Sequence, residues 1–117
     1  MLTYTLGKLG FEVLSTTSGA GALTVVREKK PAVVLLDIGL SDGQTGLQVC
    51  EKIKAGKKED APYVIVASGR KDKETVDEAQ QRGANAYLVK PFRLSRLVDI
   101  ISSIHTTKNP FILVLRP

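Results

Sequence analysis

Residues 32–37 read AVVLLD, five apolar side chains in an unbroken run followed by a carboxylate. A half-exposed strand alternates apolar and polar positions. A run without alternation marks a strand covered on both faces, as in a parallel sheet between two layers of helices. Residues 63–67 (YVIVA) and 111–115 (FILVL) have the same character, and shorter β-type runs at 11–15 and 86–89 complete a set of five expected strands. The segments between them carry helical period. Ala20, Leu23, Val26 and Arg27 recur at intervals of three and four, as do Leu47, Cys50 and Ile53, then Val76, Ala79 and Gln80, and last Leu94, Leu97, Val98, Ile101 and Ile104. Gly10 and Gly83 each follow a helical stretch and suit the left-handed residue that ends one. Pro31 closes the basic end at 27–30, whose cations suit a helix C-terminus. Pro110 ends the polar segment after the last helix. This regular alternation is the βα pattern of an open, doubly wound α/β sheet.

With 117 residues, 43% hydrophobic and 25% charged, the chain can bury a core for one domain without disulfide or metal staples. Its apolar runs fall far short of the ~18 residues of a membrane span. The first ten residues lack the basic start and continuous apolar stretch of a signal peptide, so a cytoplasmic location is expected. One cysteine, Cys50, and one histidine, His105, rule out an internal disulfide, a structural zinc centre and Cys–His or Ser–His–Asp catalysis within this sequence. The net charge is +5 and the pI about 9.5. A basic balance suits nucleic acid, but there is no tryptophan and no basic stripe. Lys52, Lys54, Lys57 and Lys58 sit with Glu51, Glu59 and Asp60, as on a solvated helix end. Nucleic acid is therefore not an expected partner; it would show as salt-dependent DNA affinity. Gly19-Ala20-Gly21 precedes a helix, but no acidic residue on a following strand supports a dinucleotide fingerprint.

The two ends are unusual. The sequence opens in a helix-like stretch (Leu2, Leu6, Leu9), where an α/β domain ordinarily starts on an inner strand, and it closes on a strand. The simplest repair makes 1–117 a single domain, with the tail 110–117 in the first-strand position. A link at 106–109 can close the distance at ~3.3 Å per residue. Insertion into the same domain, as in a circular permutant, is expected; insertion into a neighbour would give a strand-swapped homodimer.

Sites on such sheets form beyond the carboxyl ends of the strands. There the runs end in Asp37, Ser68, Lys90 and Arg116, placing a carboxylate, a hydroxyl, an ammonium and a guanidinium on one edge. A carboxylate so placed can be a nucleophile toward phosphorus, and a hydroxyl and an ammonium beside it suit a phosphoryl group's charged oxygens.

Three motifs carry a family resemblance: VVLLDIGL at 33–40 followed by Gly46-Leu47, VIVASG at 64–69, and GANAYLVKPF at 83–92. Over residues 2–104 the chain resembles the receiver domain of bacterial two-component response regulators, the CheY-like family. The resemblance implies a flavodoxin-like, doubly wound parallel sheet of five strands in the order 2-1-3-4-5, with 111–115 filling the central slot. It implies that Asp37 is the phosphoacceptor, that Ser68 and Lys90 are phosphoryl ligands, that Tyr87 is the aromatic switch, and that Lys90–Pro91 is cis, an isomer that costs proline only ~0.5–1 kcal/mol. The implied activity is that of a phosphoacceptor in a phosphorelay, with at most self-phosphotransfer and autodephosphorylation. Its implied partners are a histidine kinase or phosphotransfer protein and a downstream protein, with no membrane. The family's cofactor is Mg²⁺, for which Asp37 and Gly39 are the candidate ligands.

Three departures favour a second reading. The family's first strand carries an acidic pair that holds Mg²⁺; here ILVLRP places Arg116 and Pro117 where the acids would sit, and a cation would repel the metal. The loop SDGQTG at 41–46 is one residue longer than usual, with Ser41 in place of a common proline. The family is usually acidic, and this chain is basic. The alternative is a phosphorylation-independent pseudo-receiver, a protein–protein interaction module in which Arg116 neutralises Asp37. On that reading Asp37 caps a loop or pairs with Lys90, and Tyr87 is half-packed on the helix at 72–82. On either reading Cys50 is core and His105 is surface.

Overall fold

All five β-type runs are strands in the computed structural model, which describes residues 2–38, 43–55, 61–103 and 111–115. They are β1 (Glu12–Thr16), β2 (Val33–Ile38), β3 (Tyr63–Ser68), β4 (Ala86–Val89) and β5 (Phe111–Leu115). The helices are α1 (Leu2–Lys8), α2 (Gly19–Lys29), α3 (Gly43–Lys54), α4 (Lys73–Gln81) and α5 (Leu94–Ser102). The strands form one sheet, parallel throughout, in the order β1-β5-β2-β3-β4. This is the order 2-1-3-4-5 renumbered along the chain, because the last strand occupies the slot that order calls 1.

The lack of alternation in the strands has a direct cause. Val34, Leu36, Val64, Val66 and Leu113 face one way and bury against Ala22 of α2, Leu47, Val49, Cys50 and Ile53 of α3, and Ala79 of α4. Their neighbours Val33, Leu35, Ile65, Ala67, Leu88, Ile112 and Val114 face the other way, against Leu6 of α1 and Leu97 and Ile101 of α5. Both faces are dry, so both sets are apolar. β5 pairs on both edges, Val13 to Ile112 and Leu14 to Leu113 on one side, Val33 to Ile112 and Val34 to Leu113 on the other.

Helix ends follow local chemistry. Gly10 (φ 92°) and Gly83 (φ 103°) take the left-handed conformation expected of them, which costs a residue without Cβ little. Lys30 adopts it as well (φ 48°), capping α2 one residue before Pro31. The glycines at 19 and 21 have a packing role and no phosphate loop to form. A Cβ on Gly19 would meet Val49 Cγ2 of α3 at 2.7 Å, and one on Gly21 would collide with the Thr16 hydroxyl. One boundary differs from expectation: α3 begins at Gly43, so the segment 43–46, expected as loop, is its first turn. Glycine and threonine are weak helix formers, and the turn is recruited because the helix buries a continuous face. Lys90–Pro91 is cis. No helix among the described residues is long and apolar enough to cross a membrane. Expectations for Gly39, Ser41, Asp42, Lys57, Lys58, Glu59, Asp60, Ile104, His105, the link at 106–109, Pro110, Arg116 and Pro117 lie outside the described residues.

Cys50 is buried in the α2–α4 layer, its thiol donating to the Arg82 carbonyl at 3.7 Å. Burial pushes the thiol up to about 11, and only the thiolate is nucleophilic. Native protein at about pH 8 is therefore expected to resist a thiol reagent such as Ellman's, with one equivalent reacting on denaturation. Rapid labelling of the native chain would contradict this packing.

Candidate functional site

In a parallel sheet every carboxyl end reaches the same edge. Asp37 is the penultimate residue of β2, opposite Ala67, and Ile38 lies opposite Ser68, the last residue of β3. Ser68 in turn faces Val89 of β4, and the next residue, Lys90, donates its N–H to the Ser68 carbonyl at 2.8 Å. Asp37 and Lys90 thus stand two strands apart, roughly 9–10 Å at the usual strand spacing. The long lysine side chain spans that gap over the end of β3 and makes an ion pair with Asp37. Both side chains are partly exposed, so solvent reaches the carboxylate while the pair is shielded more than a surface pair. Ser68 is 3% exposed and is the one buried polar residue among those described. Its hydroxyl oxygen accepts the Arg70 N–H at 3.2 Å.

Tyr87 is the second residue of β4, three residues before Lys90. Its ring borders a cavity of about 190 Å³ with Val76, Ala79 and Gln80 of α4, and its hydroxyl donates to the Arg70 carbonyl at 2.5 Å. The half-packed placement against α4 and a link to the site loop are therefore both present. Of the described residues expected at the site, Asp37, Ser68 and Lys90 are brought together on adjacent strand ends, and Tyr87 joins them through Arg70.

The chemistry this permits is narrow. A carboxylate, a cation that already contacts it and a hydroxyl on the intervening strand can receive and hold a phosphoryl group. Mg²⁺ fits less well. No group of three or more His, Cys, Asp or Glu side chains that could hold a metal occurs among the described residues, and Asp37 Oδ1 is already engaged by Lys90. A site for this hard, octahedral cation needs several oxygen ligands, so the described residues do not make one by themselves.

The family model for the response regulator receiver domain matches residues 1–102. The chain belongs to that family. Receivers are in general phosphoacceptors of two-component signalling rather than enzymes, and usually bind Mg²⁺. This receiver is 35% identical over 98 residues to the DNA-binding response regulator MtrA of Mycolicibacterium paratuberculosis, covering 84% of the chain and 42% of that protein. It is 37% identical over 89 residues to the transcriptional regulatory protein KdpE of Mycobacterium tuberculosis, covering 76% of the chain and 38% of that protein. The receiver thus spans about two-fifths of the length of these curated relatives. A crystal structure of a response regulator from Thermotoga maritima matches with a TM-score of 0.74 at 26% identity, covering 87% of this chain and 83% of that one. Strand β5 lies beyond the stretch that the family model matches.

Sequence reading missed the turn between β3 and α4. Asp72 caps α4, its Oδ2 accepting the Thr75 N–H at 3.1 Å and the Thr75 hydroxyl at 2.7 Å, while its Oδ1 accepts Arg70 Nε at 3.2 Å. The Asp72-Lys73-Glu74-Thr75 spacing, an acceptor three residues before the amide it caps, was the available signal. The Thr75 hydroxyl, then the Thr75 N–H and Arg70, hold the Asp72 carboxyl down to about 2. A carboxyl depressed in the fold contributes stability that is present above its unfolded value and lost as pH falls through the folded one. Melting temperature should therefore fall between about pH 4 and pH 2 partly on account of Asp72, and Asp72→Ala should flatten that limb. An unchanged limb would show that the cap is not formed in solution.

Proposed function

We propose that this receiver takes a phosphoryl group on Asp37 from a histidine kinase or phosphotransfer protein in the cytoplasm and passes the change to a protein partner. The observation that carries this is the joining of Asp37, Ser68 and Lys90 across three adjacent strand ends. A carboxylate oxygen of Asp37 forms the new P–O bond while the P–N bond to the donor imidazole breaks, the electron pair staying with the ring nitrogen. Lys90 exchanges its carboxylate contact for a phosphoryl oxygen. The Ser68 hydroxyl, which now accepts from Arg70, donates to another. The resulting shift of the 69–72 turn acts on Tyr87 and biases the surface around residues 76–93 between two states. The curated relatives are described as a DNA-binding response regulator and a transcriptional regulatory protein, which supports transcription as the output.

The test is intact mass after incubation with acetyl phosphate, for the wild type and Asp37→Asn. The donor set at Asp37 gives the phosphorylation-independent reading its weight. A folded chain that never gains mass would establish that second reading, with the site serving as a fixed binding platform.

A further inference from the structure

Arg70 is held at three points. Its N–H donates to Ser68 Oγ at 3.2 Å, its carbonyl accepts from the Tyr87 hydroxyl at 2.5 Å, and its Nε donates to Asp72 Oδ1 at 3.2 Å. The other oxygen of the same carboxylate, Oδ2, is committed to the N–H and hydroxyl of Thr75 in the first turn of α4. One oxygen serves the helix and the other serves the turn.

We propose that Asp72 is a positioning residue: it fixes Arg70 to the start of α4, so that the Ser68 and Tyr87 hydroxyls are tied to one and the same residue. Residue 70 lies between β3 and α4, where neither a sheet ladder nor a helix restrains the backbone. An exposed ion pair alone stabilises little. Here the carboxylate is already anchored by the helix cap and lies two residues away, so little further entropy is lost in closing the contact, and the planar guanidinium sets its direction. With Arg70 fixed, a displacement of Ser68 reaches the acceptor of the Tyr87 hydroxyl without being absorbed by the turn. That consequence for signalling rests on the receiver function proposed above; the tie itself does not.

Asparagine separates this role from capping. It offers one acceptor oxygen, and when that oxygen caps Thr75 its NH₂ group faces the guanidinium, donor against donor. The experiment is amide hydrogen exchange and tyrosine ring NMR on the full chain without any phosphoryl donor, for wild type, Asp72→Asn, Arg70→Gln and the double variant. Asp72→Asn should speed exchange of the Arg70 N–H about tenfold and shift the Tyr87 ring signals, with the Thr75 N–H still protected. Arg70→Gln should reproduce both effects, and the double variant should add nothing, since the two side chains act as one unit. An unchanged residue-70 amide and Tyr87 ring in both single variants would overturn the proposal, because a pure helix cap predicts that silence. Equal acceleration at the Lys90 N–H, which bonds within the sheet, would also overturn it by showing general loosening. Because no donor is present, a chain that shows the tie yet never takes a phosphoryl group would keep this inference and lose the function proposed above.

Discussion

A chain truncated after residue 109 is expected to be unfolded. The deletion removes β5, whose Ile112, Leu113 and Val114 are at most 3% exposed and enter both core layers, Leu113 toward α2–α4 and the other two toward α1 and α5. Burial of a large aliphatic side chain contributes roughly 1.5–3 kcal/mol, so these three represent about 5–9 kcal/mol against a total stability of about 5–15 kcal/mol for a typical domain. The deletion also leaves β1 and β2 with facing, unpaired edges inside the sheet, a state that is costly and prone to aggregation. Far-ultraviolet circular dichroism and a thermal melt of the truncated chain check this, with Leu113→Asp as a point variant that should lose the cooperative melt in the same way. For the full chain, a melting temperature independent of protein concentration is expected if the strand inserts into its own domain. A truncated chain that melts cooperatively near the wild-type temperature would mean that β5 is not part of the cooperative core.

Asp37→Asn is expected to abolish the phosphoryl adduct completely. In wild type, acetyl phosphate should raise the intact mass by one phosphoryl group, to a partial extent, because Lys90 must first leave the carboxylate and the described residues offer Mg²⁺ few oxygens. The amide of asparagine is not a nucleophile toward phosphorus, yet it matches the carboxylate in shape and still accepts a hydrogen bond from Lys90. The variant should therefore stay folded, and a thermal melt run beside the mass measurement verifies that. An adduct that survives Asp37→Asn would place the acceptor elsewhere. Lys90→Ala tests the second member of the site: adduct formation should fall steeply, while Asp37 remains present as a nucleophile.

Much of the site is legible in the sequence because strand ends are local features. An apolar run that stops at a polar residue announces both the strand and the group at its tip, and Asp37, Ser68 and Lys90 are each read this way without knowing the sheet order. Tyr87, the second residue of β4, is singled out only by the family resemblance. Arg70 and Asp72 are not legible in this way because a turn has no period to read. Their roles come from a bond to Tyr87, 17 residues away, and from a cap whose spacing is short and common. α3 starts at Gly43, ahead of the Gly46-Leu47 start that the motif suggests, because propensity is a weak guide where packing recruits a turn.

What the sequence determined by itself is the succession of strands and helices, the two-sided burial of the sheet and the chemical identity of the groups at its edge. All three follow from periodicity and from residue type along a few neighbouring positions. The central slot of β5 and the Asp37–Lys90 contact are expected from the gap in the sheet and from the family resemblance, and the tertiary structure supplies the pairings that realise them. β5 lies between β1 and β2, and Lys90 reaches Asp37 because only β3 lies between β2 and β4. The Asp72 carboxylate is divided between a helix and a turn that also holds the Tyr87 hydroxyl. Strand pairing joins segments remote in sequence through backbone groups that every residue carries, so side-chain identity leaves the choice of partner open until both faces of the sheet are filled.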